Sequence, residues 1–163
     1  MTGYDFSHMK VLVADDSRHI RSLVKTFLSG FGVESVTQAD DAAAAFVAFQ
    51  EEDPDLVITD WNMPPTSGLD LVDQIRNDPD SPNPYVPIIM LTGFTELYRV
   101  RMARDTGVST FLAKPVSAAS LYKRLCAMVD DKRAFVRVGR FFGPDRRMAK
   151  RSADFAGPER RRA

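Results

Sequence analysis

Cysteine is almost missing from this sequence. With Cys126 alone among 163 residues, no intramolecular disulfide framework can form. Cys126 sits at helical spacing in an apolar segment and reads as a core or part-buried thiol rather than a nucleophile. Histidine is scarce too. His8 and His19 are the only two, neither has a partner at metal-ligand spacing, and zinc is not expected. No apolar run reaches the ~18 residues needed to span a bilayer. Residues 1–9 have no basic stretch leading into a long apolar one, so they do not read as a secretory signal. A cytoplasmic location without membrane insertion is the default expectation. A net excess of either charge is also lacking, since 22 Lys and Arg balance 22 Asp and Glu.

That balance hides a split. Residues 131–163 hold eleven basic and four acidic groups, so residues 1–130 carry a net −7 and the tail +7. Such asymmetry points to an interaction segment for an anionic partner; the bland alternative is a tail folded back on the acidic body. The hydrophobic content, 44% over 163 residues, fits one globular domain plus a short appendage. The expected division is an N-terminal extension over 1–8, a domain over 9–130 and an arginine-rich tail over 131–163.

The apolar pattern predicts strands over 10–14, 33–37, 55–59, 86–91 and 110–113. Between them it predicts helices from Ser17 to Leu28, over 42–49, 67–75 and 96–106, and a last one over 118–129. Ser17 and Asp40 or Asp41 serve as starts, and Gly30, Gly32 and Gly107 as stops. Five βα units at this spacing call for an α/β fold, a parallel sheet with helices on both faces. In such a sheet the functional crevice lies at the carboxyl ends of the strands. That rule nominates Asp15 and Asp16, Asp60, Thr92 and Lys114.

Three carboxylates converging there would repel, and one would be forced to stay protonated unless a cation sat among them. A hard divalent ion with oxygen ligands, Mg²⁺ above all, removes the conflict and leaves one carboxylate as a nucleophile. Lys114 and Thr92 supply the charge and hydroxyl that a phosphoryl group on Asp60 would need. A lone Asp at a strand end is usually a cap, and a lone Thr a turn hydroxyl. All of them at strand ends of one five-unit repeat is far harder to obtain by chance.

The motifs Val-Ala-Asp15-Asp16-Ser, Asp60-Trp-Asn-Met-Pro followed by Gly68, Leu-Thr92-Gly and Lys114-Pro115 resemble those of CheY-like response-regulator receiver domains across residues 9–130. The resemblance implies a doubly wound, flavodoxin-like (βα)5 fold. It implies Asp60 as phosphoacceptor and Asp15, Asp16, Asp60 and the backbone carbonyl of Asn62 around Mg²⁺. Thr92 and Lys114 would contact the phosphoryl group, with a cis Lys114–Pro115 peptide. Phe111 would be the rotating switch aromatic, in a position where tyrosine is common. Phe94, two beyond Thr92, is apolar and cannot orient an attacking water, which implies slow self-dephosphorylation. The expected partners are a histidine kinase or phosphotransfer protein and a downstream protein target. The chain would be a signalling switch and not an enzyme beyond its own phosphorylation and dephosphorylation.

The tail is too short for a usual DNA-binding effector domain. It holds an imperfect repeat, Phe142-Gly-Pro-Asp-Arg-Arg147 and Phe155-Ala-Gly-Pro-Glu-Arg-Arg-Arg162. Val136 and Val138 suggest an extended stretch before it, as an added edge strand. Each unit offers guanidiniums, a carboxylate, a proline and a nearby phenylalanine. Arginine pairs with guanine edges, stacks on bases and binds phosphate. A ligand with guanines and phosphates in duplicate, such as cyclic di-GMP, would suit a duplicated motif. The tail also resembles the arginine-rich extension of CheY-like cyclic di-GMP effectors that act on the flagellar motor. That makes Arg140, Asp145, Arg146, Arg147, Arg160 and Arg161 the candidate contacts. Three other classes compete. A phosphorelay shuttle needs no tail. A haloacid dehalogenase-type phosphatase would carry a second Asp where Asn62 stands. A general polyanion binder would show no preference for guanine.

Overall fold

The computed structural model describes residues 4–93, 105–130, 135–138 and 141–144. Strand β1 (Lys10–Ala14) runs into helix α1 (Arg18–Gly30), then β2 (Ser35–Ala39), α2 (Ala42–Glu52) and β3 (Leu56–Asp60). A short hairpin of β4 (Asn62–Met63) and β5 (Thr66–Ser67) leads into α3 (Gly68–Asn77). Next come β6 (Ile88–Thr92), β7 (Thr110–Ala113) and α4 (Ala118–Val129), and finally β8 (Phe135–Val138) and β9 (Phe141–Pro144). The helix expected over 96–106 lies largely outside the described residues; only Asp105 and Thr106 are described, and they are helical.

The main sheet has five parallel strands in the order β2-β1-β3-β6-β7. This is the doubly wound α/β architecture that the apolar pattern predicts. The inner strands β1, β3 and β6 are short apolar runs buried on both faces, as parallel strands between helices must be, while the edge strands β2 and β7 are only partly buried. Leu12, Val57 and Ile88 pack toward α2 and α3, while Val13, Ile58 and Ile89 pack toward α1 and α4. Period-two alternation therefore splits each strand between two cores.

Helix starts follow local chemistry. The Ser17 hydroxyl accepts from Ile20 N at 3.3 Å, Asp41 caps α2 through Ala44 N, and Ser67 forms a capping box with Asp70. Helix α1 ends at Gly30, and Gly32 adopts a φ of 100° in the turn that follows.

Several boundaries depart from expectation. Val33 is buried, but it belongs to the turn after α1, its N–H donating to the Leu28 carbonyl, so β2 begins later. Val86 is buried ahead of β6, and Pro87 has no N–H to join a ladder, so β6 is shifted toward Thr92. The stretch around Val136 and Val138 does not extend the main sheet: β8 pairs antiparallel with β9 in a separate two-stranded sheet, and β9 runs beside α3. Residues of the N-terminal extension pack on the domain. Phe6 is buried in the core with α1 and α4 and meets Tyr122 edge-on, and Tyr4 donates to Asp130 at 2.7 Å.

Candidate functional site

The carboxyl ends of β1, β3 and β6 and the residue after β7 converge at one edge of the sheet. Asp15 directly follows β1, its N–H donating to the Ala39 carbonyl of β2. Asp60 is the last residue of β3 and Thr92 the last of β6, both buried. Lys114 follows β7, its backbone N–H donating to the Thr92 carbonyl at 2.9 Å.

Carboxylate oxygens of Asp15, Asp16 and Asp60 lie within 4.8 Å of one another. Lys114 Nζ stands 2.9 Å from Asp60 Oδ1 and 3.5 Å from Asp15 Oδ2. The first contact is a charge-assisted hydrogen bond; the second is long enough to be Coulombic attraction alone. Asp15 is fully buried, and its Oδ1 accepts from Ser17 N at 2.8 Å. Its Oδ2 has no hydrogen-bond partner among the described residues. Asp16 is exposed.

Burial raises the Asp15 pKa above the ordinary carboxylate value; the Ser17 N–H opposes that rise and the Asp60 charge adds to it. For Lys114, burial works against the charged form. The hydrogen bond and charge of Asp60, together with Asp15, outweigh it and leave the ammonium more firmly protonated than usual.

Three hard oxygen donors, one of them a buried oxygen without a hydrogen-bond donor, match the ligand chemistry of Mg²⁺. Asn62, the further ligand implied by resemblance, is exposed at the start of the small hairpin and pairs with Ser67. Phe111 is half-buried in β7 and packs against the core of α2 and α3. The Lys114–Pro115 peptide is cis, as expected, and so is Pro64–Pro65, which was not.

A model for the response regulator receiver domain matches residues 11–126. The chain belongs to that family. A chemotaxis protein CheY-3 of Vibrio cholerae is 35% identical over 118 residues, covering 72% of this chain and 89% of that protein. A chemotaxis protein CheY1 of Helicobacter pylori is 38% identical over 118 residues, covering 94% of its length. The solved structure of chemotaxis response regulator CheY4 of Vibrio cholerae superposes with a TM-score of 0.67 at 32% identity, covering 73% of this chain and 97% of that one. Receiver domains are signalling modules rather than classical enzymes, and they work with kinase or phosphotransfer partners and downstream targets. Among the described residues no helix is long and apolar enough to cross a membrane.

The receiver's sequence left three things unseen at or near this edge. Trp61, beside the phosphoacceptor candidate, is buried among the α2 and α3 core. Arg21 donates to the Asp15 carbonyl at 2.7 Å and to Gln38 Oε1 at 3.1 Å, tying the acidic loop to α1 and β2. The Thr59 hydroxyl donates to the Asp60 carbonyl at 3.0 Å. Arg21 and Thr59 grip backbone oxygens, and no sequence pattern announces such a contact. Phe94 and the tail candidates Arg140, Asp145, Arg146, Arg147, Arg160 and Arg161 lie outside the described residues.

Proposed function

We propose that this receiver is a phosphorylation-driven switch in which Asp60 accepts the phosphoryl group. The observation that carries this reading is the Lys114 ammonium 2.9 Å from Asp60 Oδ1, beside two further carboxylates. A free Asp60 oxygen attacks the phosphorus of a phosphohistidine or acyl phosphate; the new O–P bond forms as the bond to the donor's nitrogen or oxygen breaks. Asp15, Asp16, Asp60 and the Asn62 carbonyl would hold Mg²⁺, which supplies charge neutralisation for the transferring group. Lys114 compensates the charge gained on Asp60, and the Thr92 hydroxyl donates to a phosphoryl oxygen. The added charge of roughly −2 draws Thr92 and Lys114 inward. Phe111 then turns into the space that Thr92 leaves, reshaping the face around β7 and α4 for a protein target. The test is incorporation of phosphate from acetyl phosphate with Mg²⁺. The wild type should be labelled and Asp60→Asn should not; equal labelling of both rejects the assignment.

Two relatives named as chemotaxis proteins make a chemotaxis or flagellar-switch target the first to test. The charge split and the repeated Gly-Pro-acid-Arg-Arg unit favour a nucleotide with duplicated guanine and phosphate groups, cyclic di-GMP, on the tail. Calorimetry with beryllofluoride and then cyclic di-GMP, on the full chain and on a 1–133 truncation, separates the readings. Binding by the full chain alone supports the tail site, and equal binding by both rejects it. Competition by mixed RNA or DNA with the same salt slope points instead to general polyanion binding.

A further inference from the structure

The peptide that follows the phosphoacceptor side chain is held from two directions. On one side the Thr59 hydroxyl donates to the Asp60 carbonyl at 3.0 Å, and Thr59 is fully buried in β3. On the other side α3 begins with Gly68, whose N–H donates to the next carbonyl, that of Trp61, at 2.8 Å. A Cβ built on Gly68 would collide with the Asp60 carbonyl oxygen, and it would stand 3.1 Å from Thr59 Oγ1. Glycine is therefore required here for close approach, and not for an unusual φ. Thr59, the Asp60 carbonyl and Gly68 thus meet in one packed contact.

We infer that Thr59 is a positioning residue for the phosphoacceptor, acting with Gly68 as a clamp on the Asp60–Trp61 peptide. This rests on the reading of Asp60 as the phosphoacceptor. A buried threonine hydroxyl needs a partner, and a local carbonyl often supplies it with no functional consequence. The carbonyl gripped here belongs to the reacting residue itself. Rotation of that peptide plane would move the Asp60 carboxylate on one side and the Asn62 carbonyl on the other. Both belong to the ligand set proposed for Mg²⁺, and Asn62 is tied back to Ser67, the residue before Gly68. The hydroxyl therefore fixes the spacing of the oxygens that must meet the ion together, as partners outside a metal's ligand set commonly do.

Thr59→Val removes the hydroxyl at nearly constant shape, and Thr59→Ser restores it. Ile58→Val, a trimmed neighbour in the same buried strand, is the control for plain loss of stability. The readouts are Tm, Mg²⁺ affinity from quenching of the single tryptophan, Trp61, by MgCl2, and labelling rate with acetyl phosphate. Thr59→Val should weaken Mg²⁺ binding about tenfold and slow labelling. Thr59→Ser should stay within about twofold of wild type, given that it keeps the donor. Ile58→Val should lower Tm with unchanged Mg²⁺ affinity. If Thr59→Val binds Mg²⁺ as tightly as wild type, or if Ile58→Val weakens binding as much, the clamp is overturned while the phosphoacceptor reading stands. A wild type that neither responds to Mg²⁺ nor takes label overturns both.

Discussion

Asp15 shows how a single side chain can trade stability for a site. It is fully buried, one of its oxygens lacks a hydrogen-bond donor, and Asp60 stands close by. Burial raises its pKa, so in metal-free protein the folded state holds its proton to higher pH than the unfolded chain does. The contribution of Asp15 to stability is thus unfavourable at neutral pH. It is relieved as pH falls through the folded pKa toward the ordinary carboxylate value. Asp15→Asn should stabilise the metal-free protein by about 1–3 kcal/mol at pH 7, because it removes an incompletely compensated buried charge. The asparagine oxygen can still accept from Ser17 N. Urea melts in EDTA at pH 7 and pH 4.5 should show that gain shrinking at the lower pH, and the same substitution should abolish the Mg²⁺ response of Trp61. Lys114 behaves oppositely. Its raised pKa means that its stabilising contact with Asp60 is intact below about pH 10.5 and is lost only as pH rises through the folded value. Acidic residues at strand ends were legible in the sequence because topology alone assigns strand ends to the crevice. The burial of Trp61 was not legible, because the strand pattern stops at Asp60 and nothing local shows that its indole joins the core.

At the scale of elements, α3 carries a residue that sequence patterning hides. Arg76 is almost fully buried, and burial pulls its guanidinium pKa down to about 9, so it remains charged at neutral pH. It donates to the carbonyls of Gly107 at 3.1 Å, Pro84 at 2.8 Å and Val86 at 2.6 Å. Those contacts tie α3 to the entry of β6 and to the lead-in of β7. They also give the proline-rich loop after α3 a structural role, as a supply of carbonyls for this cation. An arginine near a helix end normally reads as solvated, and only tertiary contacts reveal otherwise. The strands, by contrast, were legible as apolar runs. Their limits were not, because Val33 and Val86 are core residues that stand just outside the ladders. Arg76→Met should remove about 3 kcal/mol of stability by stranding buried carbonyls that had charged donors. It should leave Mg²⁺ affinity within about twofold of wild type, because Pro84 and Val86 lie at the opposite end of the sheet from Thr92. Denaturant melts beside Trp61 titrations check both halves, and a large loss of Mg²⁺ affinity would show that this clamp reaches the site.

Across the whole molecule, the start of the chain is tied into the folded body. The described cores draw on residues from Phe6 to Met128. The N-terminal residues supply one of these side chains: Phe6 is buried, stacks with Tyr4 and meets Tyr122, while Tyr4 holds Asp130 at the end of α4. Losing a buried phenylalanine costs about 3–5 kcal/mol, a large part of the stability of a domain this size. Deletion of residues 1–8 should therefore lower the denaturation midpoint sharply, and Phe6→Ala alone should account for most of the loss. Deletion of residues 131–163 should leave the midpoint and the rate of labelling by acetyl phosphate close to those of the full chain, while removing whatever affinity the protein has for anionic nucleotides. Parallel melts of the two truncations decide the matter. If loss of the basic tail destabilises the acidic body, and added salt erases the difference, then the tail's charges act as an intramolecular counter-ion rather than as a surface reserved for another molecule.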